Sequence, residues 1–120
     1  MHVVVQTPSF ITDIKNAGLD QQEADNIVNS LSAKPTAGLV IPGTGGARKI
    51  RFAGRGKGKS GGYRVITFYA GDDIPVFLLG VFSKGDRVNL SKAERNEMRK
   101  ELEGLADDYR QGVQKYVASG

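Results

Sequence analysis

Apolar positions along this chain change their period several times, and each change marks an element. Val3, Val4 and Val5 open it as a short β-branched run, which predicts a strand over His2–Gln6. Thr7 then precedes Pro8, an N-cap followed by proline at the first helical position. Phe10, Ile11 and Ile14 recur at helical spacing and Gly18 follows, so a helix is expected to about Ala17. Asp20 with Glu23 three residues on reads as a capping box. Ala24, Ile27, Val28 and Leu31 form one stripe behind it, and Pro35 disfavours helix at Lys34. Two short helices joined at Gly18-Leu19 predict a helical hairpin covering one face of a sheet.

From Ala37 to Pro42 the chain reads as a connection. Arg48 to Ala53 alternates, with Lys49, Arg51 and Ala53 on one side and Arg48, Ile50 and Phe52 on the other, which predicts a strand with one cationic side. Tyr63–Tyr69 is β-branched and aromatic, a second strand. Gly71, Asp72 and Asp73 are turn residues, and Pro75–Phe82 is a nearly all-apolar run, a central strand buried on both faces. These two strands form an antiparallel hairpin. Ser91 and Glu94 form a second capping box. Met98, Leu102, Leu105, Tyr109, Val113 and Tyr116 then describe one helical face, interrupted by Gly104 and Gly112. The expected order is β-α-α-β-β-β-α: an α+β domain with an antiparallel sheet, an N-terminal helical hairpin and a C-terminal helix.

With 120 residues the chain makes one domain over 1–120. The absence of cysteine rules out disulfides and cysteine metal sites. No apolar run is long enough to cross a bilayer, and MHVVVQTP lacks the basic and apolar regions of a signal peptide. A cytoplasmic protein with no membrane partner is expected.

Charge changes the picture. The net is +4 overall, yet residues 43–69 alone carry seven cations and no acid. The flanking segments 1–42, 70–90 and 91–120 carry −2, −1 and 0. Between Gly43 and Arg64 stand eight glycines. Glycine lets backbone approach a ligand closely, and Lys and Arg neutralise phosphates, so the segment suits a polyanion. A solvated basic loop is the plain alternative; the density of charge between two strands favours a nucleic-acid surface.

Two nucleotide-site patterns fail on context. Gly56, Gly58 and Gly61 fit G-x-G-x-x-G, but a strand follows where a dinucleotide site needs a helix. Gly54 to Ser60 resembles a P-loop with one residue too few between its glycines. His2 is the only histidine, so no zinc site is expected, and no cofactor. Asp72-Asp73 and Asp107-Asp108 read as a turn and an exposed helix face. Chemistry here falls to cations, hydroxyls and backbone. RNA permits that, because its own 2′-OH attacks the adjacent phosphate without a metal; the protein orients the unit and stabilises the phosphorane's charge. A lysine among cations also has its pKa pushed down, which suits it to proton transfer.

The runs GTGGARKIR and GKGKSGGYR, and the apolar strand ending in Ser83-Lys84, resemble the RelE/ParE superfamily of bacterial toxins, in its RelE/HigB-like branch. The resemblance is strong over about residues 40–100. It implies a ribosome-dependent mRNA interferase of a type II toxin-antitoxin system, cutting mRNA in the A site and neutralised by a cognate antitoxin. It places the family's phosphate-contacting arginine on Arg64 and its basic pair on Lys49 and Arg51. Lys57 and Lys59 resemble further contacts to mRNA or rRNA, with Arg48 and Arg55 beside them. Where the family has an arginine after the last strand, this chain has Ser83-Lys84-Gly85, so Lys84 or Arg87 takes that part. The family's stacking tyrosine has no match at Leu90; Phe82 or Tyr69 stacks instead. The alternatives are a ParE-like toxin acting on DNA gyrase, which needs no basic cleft, and a non-catalytic RNA- or ribosome-binding module.

Overall fold

The structure is a computed structural model. It describes residues 2–52, 62–83 and 91–119, with side chains described through Phe82 in the second stretch and Gly112 in the third. The elements are β1 (Val4–Gln6), α1 (Pro8–Asn16), α2 (Gln21–Ala33), β2 (Leu39–Val40), β3 (Ala47–Phe52), β4 (Tyr63–Phe68), β5 (Val76–Ser83) and α3 (Lys92–Ser119). The loop expected from Gly54 to Gly62 lies outside the described residues, apart from Gly62.

The helices start where the capping signals place them. Thr7 Oγ1 accepts the Phe10 N–H at 3.3 Å, with Pro8 at the first position. Asp20 accepts the Glu23 N–H at 2.8 Å, and Glu23 reaches back to the Asp20 N–H at 3.5 Å. Ser91 and Glu94 exchange the same pair of bonds at 3.1 and 3.0 Å. Each box satisfies N–H groups that a helix start otherwise leaves open, worth about 1 kcal/mol.

The five strands form one sheet in the order β1-β5-β4-β3-β2. The α+β class holds, but the sheet is mixed where an antiparallel one is expected. β2 to β5 alternate direction, while β1 runs parallel to β5, pairing Val4 with Val76 and Gln6 with Leu78. The reason is the long connection after β1. The chain leaves through α1 and α2, re-enters at the far edge, and returns strand by strand until β5 lies beside β1. Only a long crossover permits a parallel pair.

β2 is a strand the expected order lacks. It forms because Gly38, at φ 95°, approaches β3 closely: a Cβ there would lie 2.6 Å from the Lys49 carbonyl oxygen. Only glycine adopts that backbone without strain and leaves that gap.

Each face of the sheet has its own core. Phe10, Ile27 and Leu31 of the helical hairpin pack on Tyr63, Val65, Val76, Leu78 and Val81. On the other face Leu102 and Ala106 of α3 pack on Ile66, Phe68 and Phe77, with Ile41, Ala47 and Ile74 at the margin. Burying one large apolar side chain of this kind contributes about 1.5–3 kcal/mol. Of the expected stripe on α3, Leu102 is buried, while Met98 and Leu105 are partly buried against this core. Tyr109 meets Phe77 edge-on at 6.1 Å between centroids. The side chains of Val113 and Tyr116 lie outside the described residues.

α3 is tied down further by Arg110, which donates to Asp73 in the β4–β5 turn at 2.6 and 3.2 Å. That guanidinium holds the Asp73 carboxyl below the usual aspartate range. Among the described residues no helix is long and apolar enough to cross a membrane.

Candidate functional site

Strand pairing assembles the site. Alternation along β3 puts Lys49 and Arg51 on the same side as Ala47. In register, Arg51 stands opposite Arg64 of β4, and Arg64 stands opposite Phe82 of β5. Directly paired residues share a face with their Cβ atoms about 5 Å apart. Arg51, Arg64 and Phe82 therefore form a row across three strands. Lys49 lies one step along β3, opposite Ile66. The row occupies the face on which α3 packs, toward the end that the Phe68–Phe77–Leu102 core leaves uncovered.

Lys49, Arg64 and Phe82 are half-buried and Arg51 is exposed. Phe82 leans on the α3-side core, which fixes its ring without sealing it off. Among the described residues the only ion pair is Arg110–Asp73, so Lys49, Arg51 and Arg64 have no carboxylate partner there. Like charges directly opposite each other are destabilising. A sheet that carries Arg51 against Arg64 offers a bay for an anion.

The acids of the helical hairpin lie across the sheet. Tyr63, next to Arg64 in sequence, points to the helical hairpin. Burial raises its pKa, and the charges of Glu23 and Asp20 raise it further. The sheet thus separates Asp20 and Glu23 of the hairpin from the cation row.

The structure does not bring Arg48 to this face. It stands opposite Thr67 on the hairpin side, and its Nη1 donates to the Thr36 carbonyl oxygen at 3.0 Å. The expected stacking role also divides. Tyr69 packs with the hairpin-side core, meets His2 edge-on at 5.1 Å and hydrogen-bonds Asp72. Its phenol pKa is raised, chiefly by that bond to Asp72. Phe82 is the ring that joins the cations. Lys84 and Arg87, and the loop cations Arg55, Lys57 and Lys59, lie outside the described residues.

Sequence reasoning passed over two cations of α3. The stems of Arg95 and Arg99 lie against the turn before β3: a Cβ on Gly43 would meet Arg95 Cδ at 3.6 Å, and one on Gly45 would meet Arg99 Cγ at 3.2 Å. The neutral net charge of residues 91–120 hid them. A surface depression lined by Gln22, Asp25, Asn26 and Asn29 lies on α2, away from the cation row. Among the described residues no three His, Cys, Asp or Glu side chains are grouped to hold a metal.

The fold is thus an α+β domain whose sheet, among the described residues, carries Lys49, Arg51, Arg64 and Phe82 together on one face. The family model of the RelE toxin of the RelE/RelB toxin-antitoxin system matches residues 18–120, and the chain belongs to that family. Among solved structures, the chain is similar to a double arginine-to-alanine mutant of the E. coli toxin RelE in the free state. That match has 16% identity and a TM-score of 0.48, and covers 70% of this chain and 84% of the other.

Proposed function

We propose that this toxin is an endoribonuclease that cuts mRNA in the ribosomal A site and is restrained by a cognate antitoxin. The observation that carries this reading is the row Arg51–Arg64–Phe82 with Lys49 beside it: cations without carboxylate partners among the described residues and one ring, held on a sheet. The acid-free segment from Gly43 to Tyr69 extends the same character into the loop.

The chemistry is internal transesterification. The ribose 2′-oxygen bonds to the adjacent phosphorus as the bond from phosphorus to the 5′-oxygen breaks. The 2′-OH loses a proton to a base and the 5′-oxygen gains one, leaving a 2′,3′-cyclic phosphate and a 5′-OH. Arg64, in the middle of the row, holds the non-bridging oxygens and stabilises the charge that grows on them. Arg51 and Lys49 share that charge and orient the chain. Phe82 stacks on a base, an interaction worth about 1–3 kcal/mol. By sequence, Lys84 supplies a cation at the end of β5, and Arg55, Lys57, Lys59 and Arg87 extend the contacts to mRNA or rRNA.

The test is inducible expression in bacteria with primer extension across abundant mRNAs, for wild type and Arg64→Ala. Cuts inside translated codons are expected in wild type. They are expected to fall roughly 10²–10³-fold in the variant, the cost of removing one donor to a developing oxyanion. Growth arrest without cuts would overturn the nuclease reading in favour of a gyrase-directed toxin. Undiminished cutting by Arg64→Ala would remove Arg64 from the site.

A further inference from the structure

We propose that Asp13 and Gly80 are positioning residues: together they hold the irregularity in β5 that turns Phe82 onto the cation face. The proposal rests on the RNA-cleaving role assigned to that face.

The argument starts from parity. Side chains along a strand alternate between faces, so Val76, Leu78 and every second residue after them belong on one side. Val76 and Leu78 do lie in the hairpin-side core. Strict alternation would put Phe82 there too, out of reach of Arg64. Instead the register breaks between Ile66 and Thr67. Thr67 pairs with Leu78 and Ile66 with Gly80, so β5 inserts one extra residue. Leu79 and Gly80 consequently both stand opposite Ile66 on the α3 side: Leu79 packs against that core, a Cβ on Gly80 would lie 3.9 Å from Phe82 Cε2, and Val81 then falls in the hairpin-side core. Phe82 then emerges on the opposite face, directly across from Arg64. An inserted residue that re-aims a side chain is the recurrent use of a β-bulge beside a functional site.

Asp13 secures it. β1 ends at Gln6, opposite Leu78, so the outer edge of β5 has no strand neighbour beyond that point among the described residues. α1 takes over there, and Asp13 Oδ2 accepts the Val81 N–H at 3.0 Å. Gly80 makes room for that carboxylate, because a Cβ at 80 would lie 2.9 Å from the same oxygen. One side chain and one missing side chain thus set the direction of Phe82 from the outer edge of β5.

The chain has no tryptophan, so Phe82→Trp supplies a single fluorescent reporter at the position in question. In that background, Asp13→Asn, Asp13→Ala and Gly80→Ala are compared. Two readouts are used: the backbone NOE between residues 64 and 82, and quenching of the introduced indole by a single-stranded RNA oligonucleotide. The parent and Asp13→Asn, which keeps an acceptor oxygen, are expected to show both. Asp13→Ala and Gly80→Ala are expected to lose the NOE and bind RNA about ten-fold more weakly, the loss of one stacked base. Retention of the NOE and of RNA quenching in folded Asp13→Ala would overturn the proposal. If Asp13→Ala does not fold, Gly80→Ala decides by the same criterion. A parent that shows the NOE but no RNA response would instead overturn the RNA reading of the face and leave the positioning test to the NOE alone.

Discussion

Arg51 faces Arg64 across adjacent strands, and among the described residues neither has a carboxylate partner. A sheet gains nothing from this pair by itself, since opposed like charges cost stability. The arrangement makes physical sense when phosphate oxygens occupy the space between. Replacing Arg51 with alanine is therefore expected to act oppositely on stability and on binding. The folded protein should become slightly more stable at low salt. The slope of log affinity against log salt for single-stranded RNA should fall by about 0.7, one phosphate contact's share. Thermal melting and a salt titration on the same variant check both. An unchanged salt slope would mean that Arg51 touches no phosphate. Lys49 and Arg51 were legible as one cationic side because alternation in β3 is local. The same alternation already set Arg48 apart from them, and its partner, the Thr36 carbonyl, lies across a turn that no local pattern reveals.

Among the elements, those with local signals were the ones read correctly. Three helix starts carry their own caps, and the hairpin of β4 and β5 announces itself by the turn at Gly71–Asp73. β2 escaped because two residues give no period to detect, and its cause is the close approach at Gly38. β5 read as a strand buried on both faces, which hid its extra residue. A lone glycine in an apolar strand was the available sign of a bulge. α3 carries a different kind of information. Gly104 is exposed, and a Cβ there would meet nothing within 4 Å. Gly104→Ala is expected to raise unfolding free energy by roughly 0.5–1 kcal/mol, because alanine costs less backbone entropy in a helix. Denaturant titration measures this. No gain would show that α3 frays apart from the rest of the domain before global unfolding.

For the whole molecule, the sheet works as a partition, with the helical hairpin and its acids Asp20 and Glu23 on one side and the cation row of Lys49, Arg51 and Arg64 with α3 on the other. That division was partly visible as the run of charge from Gly43 to Tyr69, since the two strands that carry it lie next to each other in sequence. The parallel pairing of β1 was not visible, because strand patterns state which residues pair outward or inward but not with whom. This pairing has a consequence in time. His2 bonds to Ile74 across 72 positions, and Val4 pairs with Val76. Closing so long a loop is slow compared with forming the local hairpins. During synthesis, at about 5–20 residues per second, β1 waits several seconds for the strand beside it to be made. Ribosome-bound chains ending before Val76 should leave Val4–Gln6 open to protease, and chains long enough to expose all of β5 outside the ribosome should protect them. Phe82, too, has no Arg64 to face until β5 has paired with β4. The row of Arg51, Arg64 and Phe82 thus comes into being only after most of the chain has been made, so a nascent toxin lacks that face during much of its own synthesis.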